Sequence, residues 1–137
     1  MLIKNKKVPL YGNGKNIREW MYVGDSCKAI LKLITKFKSA KIYNIGSGFR
    51  KSNHELAKIL SEHFFNRKIK NSVIKVKDRP AHDFRYAINS KKFKKDYSWK
   101  PEIKLIEGLN STIDWYKKNT NWLKNAEKKY NYKRIGN

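Results

Sequence analysis

Acidic residues are scarce in this chain: 137 residues carry 11 Asp and Glu against 33 Lys and Arg, a formal net charge of +22. Cysteine is nearly absent as well. The lone Cys27 excludes an internal disulfide and points to a reducing compartment, so the cytoplasm is the expected location. No apolar run approaches the roughly 20 residues that cross a bilayer. Met1-Leu2-Ile3-Lys4 opens without the apolar stretch of a secretory leader, and no membrane partner is expected. His54 and His63 lack a neighbouring Cys or carboxylate set, so no metal site is expected. There is no internal repeat and no low-complexity linker.

What is plentiful is aromatic. Four Trp, eight Tyr and six Phe are too much apolar material for a disordered chain, and the length fits one domain with a real core. The excess charge raises the question of nucleic acid, since Lys and Arg neutralise phosphates. The cations are 27 Lys and only 6 Arg, spread along the whole chain. Abundant Lys, Asn and Ile is also what an AT-rich coding sequence produces without selection for binding. No Arg-rich or aromatic-interleaved segment of a nucleic-acid module is present, so nucleic acid is not the expected partner.

Local patterns give an alternation of short strands and helices. Met1 to Lys7 reads as the end of a helix, and Val8 to Tyr11 as a strand broken by the turn Gly12-Asn13-Gly14. Ile17 to Val23 is extended, with Trp20 and Tyr22 on one face and Met21 and Val23 on the other. Asp25 is a good N-cap for a helix whose Ala29, Ile30, Leu33, Ile34 and Phe37 follow helical spacing. Lys41 to Ile45 predicts a compact strand ending at Gly46-Ser47-Gly48. Ser52-Asn53-His54-Glu55 fits a capping box, continued by Leu56, Ile59, Leu60 and Phe64 as an amphipathic helix. Ser72 to Val76 alternates as a strand, and Arg85 to Ile88 extends again. Asn89 or Ser90 caps a short basic helix to about Tyr97, closed by Trp99-Lys100-Pro101. Leu105 to about Asn119 is a helix with Leu105, Leu109, Ile113 and Tyr116 on its buried stripe. Residues 120–130 extend it or form another, and 131–137 reads as a frayed tail. Trp20, Trp99 and Trp115 are expected in the core, Trp122 half exposed.

Between two of these strands lies Val76-Lys77-Asp78-Arg79-Pro80-Ala81-His82-Asp83-Phe84-Arg85-Tyr86-Ala87-Ile88. Proline forbids helix continuation and fixes its own φ, so this charged cluster sits on a stiff loop. Guanidinium forks held there suit a doubly charged anion such as a diphosphate. A surface loop with an internal Asp–Arg pair is the plainer alternative.

The loop resembles the DRPGHDRRYAID segment of dTDP-glucose 4,6-dehydratases, and its neighbours follow in order. Pro9-Leu10-Tyr11-Gly12-Asn13-Gly14 with Ile17-Arg18-Glu19-Trp20 and Tyr22-Val23 is similar to P-I-Y-G-x-G…I-R-D-W-x-Y-V. Tyr43-Asn44-Ile45-Gly46 is similar to Y-N-I-G, Trp99-Lys100-Pro101 to G-W-K-P, and Gly108-Leu109…Thr112…Trp115-Tyr116 to G-L-x-x-T-V-x-W-Y. Ala81 and Ser98 stand where that pattern has glycine. Gly24 and Ser26 replace its Glu and His, Phe49-Arg50 its Asn-Glu, and Asn89 its Asp.

The family belongs to the extended short-chain dehydrogenase/reductases, which pair an N-terminal NAD-binding Rossmann half with a smaller half that binds the nucleotide sugar. The resemblance implies an α/β fold: the small C-terminal substrate-binding domain, with the Rossmann half missing. Residues 1–119 would be the nucleotide-sugar-binding portion and 120–137 a C-terminal helix or tail. NAD is implied as cofactor, with its binding residues absent from the chain. Gly12 and Gly14 precede a strand rather than a helix, unlike a dinucleotide fingerprint. The Tyr11…Lys15 spacing is interrupted by two glycines, and the family's Thr-Asp-Glu cluster has no counterpart, so no catalytic residue is assigned.

The resemblance further implies that Pro9, Leu10 and Tyr11 line a thymine pocket, mostly through backbone groups and ring contact. Arg18 would contact the diphosphate and Asn44 would face it. Arg79 and His82 would complete the grip along the segment Asp78, Arg79, Pro80, Ala81 and His82. His82 either donates to the ligand or caps the loop; Asp78 and Asp83 orient the arginines, and Arg85 is read as structural. The expected partners are a dTDP-sugar and either the missing half or a self-associated copy. The isolated chain is expected to be inactive. A related UDP-sugar decarboxylase or epimerase fragment, or a non-catalytic interaction module, is the alternative.

Overall fold

The computed structural model describes residues 1–37 and 41–129. A 3-10 turn (Leu2–Lys4) leads into β1 (Val8–Tyr11) and β2 (Ile17–Glu19), then α1 (Val23–Thr35). β3 (Arg50–Ser52) runs into α2 (Asn53–Ile59) and a π-helical turn (Leu60–Phe64). α3 (Ile69–Ser72), β4 (Val73–Val76), α4 (Lys91–Tyr97), α5 (Leu105–Lys118) and α6 (Thr120–Lys129) complete the order. Among the described residues there are six short α-helices: Ile69–Ser72 closes one helical turn, and α6 starts anew after Asn119 rather than extending α5. The expected tail at 131–137 lies outside the described residues.

Two small ladders carry the site. β1 and β4 pair in parallel, Val8 opposite Val73 through Tyr11 opposite Val76. β2 and β3 pair antiparallel, Ile17 opposite Ser52 and Glu19 opposite Arg50. On its other side β2 meets the segment after the loop: Ile17 N donates to Phe84 O at 2.8 Å and Tyr86 N to Ile17 O at 3.1 Å. The predicted capping box is formed in full, Glu55 N donating to Ser52 Oγ while Ser52 N donates to the Glu55 carboxylate. Beyond Ile59 the helix widens, and the fully buried Ser61 donates its hydroxyl to Ala57 O at 2.7 Å, a back-bond that competes with regular helical pairing.

The core is aromatic and centred on α4. Phe93 stacks on Tyr97, tilts against Trp99 and meets the edge of Tyr43, with Ala29 of α1 behind and Met21, Leu33 and Ile45 packed around. Ile113 is the buried centre of the α5 stripe, flanked by half-buried Leu105, Leu109 and Tyr116. At the other end of the chain, α6 is tied to the N-terminal turn by a Lys4–Glu127 ion pair.

Several expectations are corrected. Asp25 does not cap α1; Tyr22 holds that position and Asp25 sits buried in the first turn, accepting from Glu102 N and Ile103 N at 3.2 and 3.0 Å. Only Ala29 and Leu33 of the expected stripe face inward. Ile30 and Ile34 are 51% and 72% exposed, because α1 is apolar on more than one face, and Phe37, 71% exposed, lies past the end of the helix. Lys41 to Ile45 forms no ladder; Tyr43 and Ile45 turn to the core while Ile42 and Asn44 face solvent, and no neighbouring strand among the described residues pairs with it. Ser90 occupies the N-cap of α4 but its hydroxyl goes to Gly46 O, while Asn89 Oδ1 accepts from Lys91 N. Trp115 is half exposed, packed against Tyr116 and Trp122 at the α5–α6 joint.

Candidate functional site

Strand register brings the separate pieces of the sequence together. The parallel pairing of β1 with β4 places Lys77-Asp78 beside the end of β1, and Gly12 N donates to Val76 O at 3.0 Å to close the join. Gly12 and Gly14 both have positive φ (56° and 70°), which a tight turn here requires and glycine adopts without strain. Arg18 projects from β2, which is held between β3 and residues 84–86. The loop is also pinned from below: the buried Asn16 donates through Nδ2 to Asp83 O at 3.3 Å.

On this frame the loop side chains are wired to one another. Arg18 Nη2 lies 3.1 Å from His82 Nε2 and donates to Asp83 O at 3.0 Å, while Nη1 donates to Ile17 O. Its guanidinium lies over the Tyr86 ring, 4.4 Å from the centroid. His82 Nδ1 is 2.6 Å from Asp78 Oδ1, which also accepts from Arg79 N. The Arg79 guanidinium sits over the Tyr11 ring at 5.4 Å, and Tyr11 meets His82 edge-on. The His82 hydrogen bond holds the Asp78 carboxyl below its ordinary range, and the bond to Asp83 pushes the Tyr86 hydroxyl up.

Tyr11, Arg18, Asp78, Arg79 and His82 therefore meet in one cluster. Pro80 and Ala81 form the exposed tip of the loop, Ala81 with φ 51°. Leu10 is buried against Gly14, while Pro9 is exposed. Pro9, Leu10 and Tyr11 nevertheless border one apolar cavity of about 200 Å³, closed by Leu56, Leu60 and Val73. Asn44, expected to face the diphosphate, is exposed on the unpaired segment before Gly46. Arg85 contributes its backbone to the bridge with Ile17, and its side chain is exposed. Tyr86 and Asn16 were missed. An aromatic three residues after an aspartate gave a weak signal for the first, and Asn16 gave none.

Chemically the cluster is a holder. It presents two guanidinium groups, each over a tyrosine ring and one of them against an imidazole, which suits phosphate oxygens. Among the described residues no group of three His, Cys, Asp or Glu side chains could hold a metal ion, and no helix is long and apolar enough to cross a membrane. A dinucleotide does not fit the glycines present. Gly12 and Gly14 connect two strands, and the space a side chain would fill there is taken by Asp78 and Leu10, not by a phosphate-sized hollow.

The chain belongs to the family whose model is described as GDP-mannose 4,6 dehydratase, which it matches over residues 1–112. Within that family it is similar to the C-terminal part of dTDP-glucose 4,6-dehydratases. It is 35% identical over 130 residues to the enzyme of Escherichia coli, covering 91% of this chain and 36% of that one. The dTDP-glucose 4,6-dehydratase of Streptomyces venezuelae, solved with NAD bound, superimposes with a TM-score of 0.81 at 35% identity, over 88% of this chain and 37% of that one. A UDP-glucose 4-epimerase of Thermotoga maritima matches at 24% identity with a TM-score of 0.76, over 86% of this chain and 37% of that one, a likeness of fold alone. The chain thus spans little more than a third of the length of these relatives. The mixed α/β fold and the resemblance read from the loop both stand.

Proposed function

We propose that this chain binds the nucleoside diphosphate of a dTDP-sugar, as the substrate-holding portion of a dTDP-glucose 4,6-dehydratase. The observation that carries the reading is the meeting of Arg18, Arg79, His82 and Asp78 beside Tyr11, from three separate stretches of sequence. Arg18 and Arg79 take the phosphate oxygens, and the cavity bordered by Pro9, Leu10 and Tyr11 takes the base. Asp78 orients its neighbours, Pro80 and Ala81 shape the loop tip, and Asn44 lies on the flank. Binding energy gathered there positions a reacting sugar held elsewhere.

The reaction itself belongs to the part of the relatives' length that this chain does not span. Residues 1–119 act as the binding portion, with 120–137 an appendage in the cytoplasmic protein. NAD and the acid–base groups are supplied by the other half, and the isolated chain forms no product. One surface supports such a partner. Val23, Cys27, Ile30 and Ile34 recur at alternating four- and three-residue steps along α1 and are exposed, as are Phe37 just past its end and Ile42. A helix buries an apolar stripe against another element, so this exposed seam suits a further layer of structure. A self-associated copy fits less well, since each copy carries a formal charge of +22.

Calorimetric titration with dTDP-glucose, dTDP and UDP tests the binding. Affinity for dTDP-glucose is expected, weakened by about tenfold or more in Arg18→Ala and Arg79→Ala. No binding, or binding indifferent to both arginines, sinks the reading. Incubation with dTDP-glucose and NAD is expected to yield no 4-keto-6-deoxy sugar; its formation would refute the proposed inactivity.

A further inference from the structure

We propose that His82 is a positioning residue whose neutral imidazole holds Arg18 in place, so that protonation of His82 releases the grip on the anion; this deepens the nucleotide-binding reading above. A guanidinium has only donors. Since Arg18 Nη2 stands 3.1 Å from His82 Nε2, that nitrogen must offer a lone pair. The ring proton is then on Nδ1, pointing at Asp78 Oδ1 at 2.6 Å. The carboxylate thereby fixes the tautomer, and the tautomer fixes the arginine. The imidazole is only 5% exposed, so water has little access to substitute for either partner.

A second ring proton reverses one of these contacts and strengthens the other. Nε2–H against Arg18 N–H is donor against donor, with two positive charges in line. Nδ1–H against Asp78 becomes an ion pair. The groups facing the ring are Asp78 and Arg18 directly, the Tyr11 edge, Arg79 over Tyr11, and Asp83, whose carboxylate is bonded to the Tyr86 hydroxyl. The charge gained by His82 is offset by Asp78 at 2.6 Å, so the ligand feels little new attraction. What it loses is order: Arg18 keeps its bonds to two backbone carbonyls and the Tyr86 face, but not its side-chain anchor. The grip weakens in acid.

The test uses dTDP-glucose, whose diphosphate has no second ionisation near neutrality, and the full chain. On acidification from about pH 8 to about pH 5, wild-type affinity is expected to fall about fivefold or more. His82→Gln supplies an acceptor that does not titrate. It should recover affinity relative to His82→Ala and show a flat pH profile. Nitrogen-15 spectra of the imidazole should find Nδ1 protonated and Nε2 bare near neutrality. Affinity that is flat or rises in acid, a His82→Gln variant that follows the wild-type curve, or an Nε2-protonated ring each overturns the proposal. Absence of dTDP-glucose binding at every pH would remove the nucleotide reading instead, and the spectrum would still decide the tautomer.

Discussion

The α-carbon of Gly12 faces the Asp78 carboxylate so closely that a methyl at position 12 would meet Asp78 Oδ2 at 2.6 Å. The turn after β1 and the loop after β4 are therefore fitted to each other, and the fit sets the carboxylate that orients His82. Gly12→Ala is expected to cost about 1–2 kcal/mol of stability, because its φ is 56°. It should also rotate Asp78 away from His82 and weaken dTDP-glucose binding about tenfold. Gly48→Ala is the control: its φ is 88° but no atom lies within 4 Å of the added methyl. Denaturation should show similar losses for both variants, and titration a binding defect for Gly12→Ala alone. Equal binding by the two would separate Gly12 from the site.

Ala81 and Ser98, the two positions where the resembled pattern has glycine, both adopt left-handed backbone, with φ of 51° and 45°. A Cβ is strained there, and Ser98 does the work of a glycine C-cap for α4. Ala81→Gly and Ser98→Gly should each stabilise the chain by about 0.5–1 kcal/mol, after allowing for the greater freedom of unfolded glycine. Urea midpoints measure this directly. Two less stable glycine variants would mean that neither position is strained.

The sequence was most legible where structure is decided locally. The capping box at Ser52 and Glu55, the strand Val8–Tyr11 and the stripe around Ile113 depend on neighbours within a few residues. It was least legible where a distant partner decides. Lys41 to Ile45 has the composition of a strand, but a strand needs another beside it. Periodicity marks α1 as a helix without saying which of its apolar faces turns inward, so Ile30 and Ile34 fall on the wrong side, and Phe37 lies beyond the helix end. At the site, residue types came from the resemblance. The contact between Arg18 and His82 did not, because it spans 64 positions and depends on how β2 meets residues 84–86.

Asp25 illustrates the same limit and has an energetic consequence. A first-turn aspartate and an N-cap look alike in sequence; here loop 102–103 arrives to be bound by the carboxylate, which is 1% exposed. Its Oδ1 is buried without a hydrogen-bond partner, while Oδ2 serves both amides. Asp25→Ala would strand the Glu102 and Ile103 N–H groups and loosen the entry to α5. The expected loss is about 2–3 kcal/mol by chemical denaturation. A loss below about 0.5 kcal/mol, the size of an ordinary surface change, would show that the anchor is dispensable.

Glu55 should shape the acid limb of stability. The Ser52 backbone N–H, followed by Lys51, lowers its carboxyl from 4.5 to about 2. A carboxyl depressed in the folded state favours folding most when both states are ionised. Its contribution is therefore complete above about 4.5, the unfolded value, and is lost as pH falls through about 2. Glu55→Gln can still accept from Ser52 N but does not titrate. The difference in Tm between wild type and Glu55→Gln should be constant from neutrality down to about 4.5 and shrink between there and about 2. A difference that stays level through that window, or grows in acid, would mean that the capping carboxylate is not the group whose protonation weakens the fold.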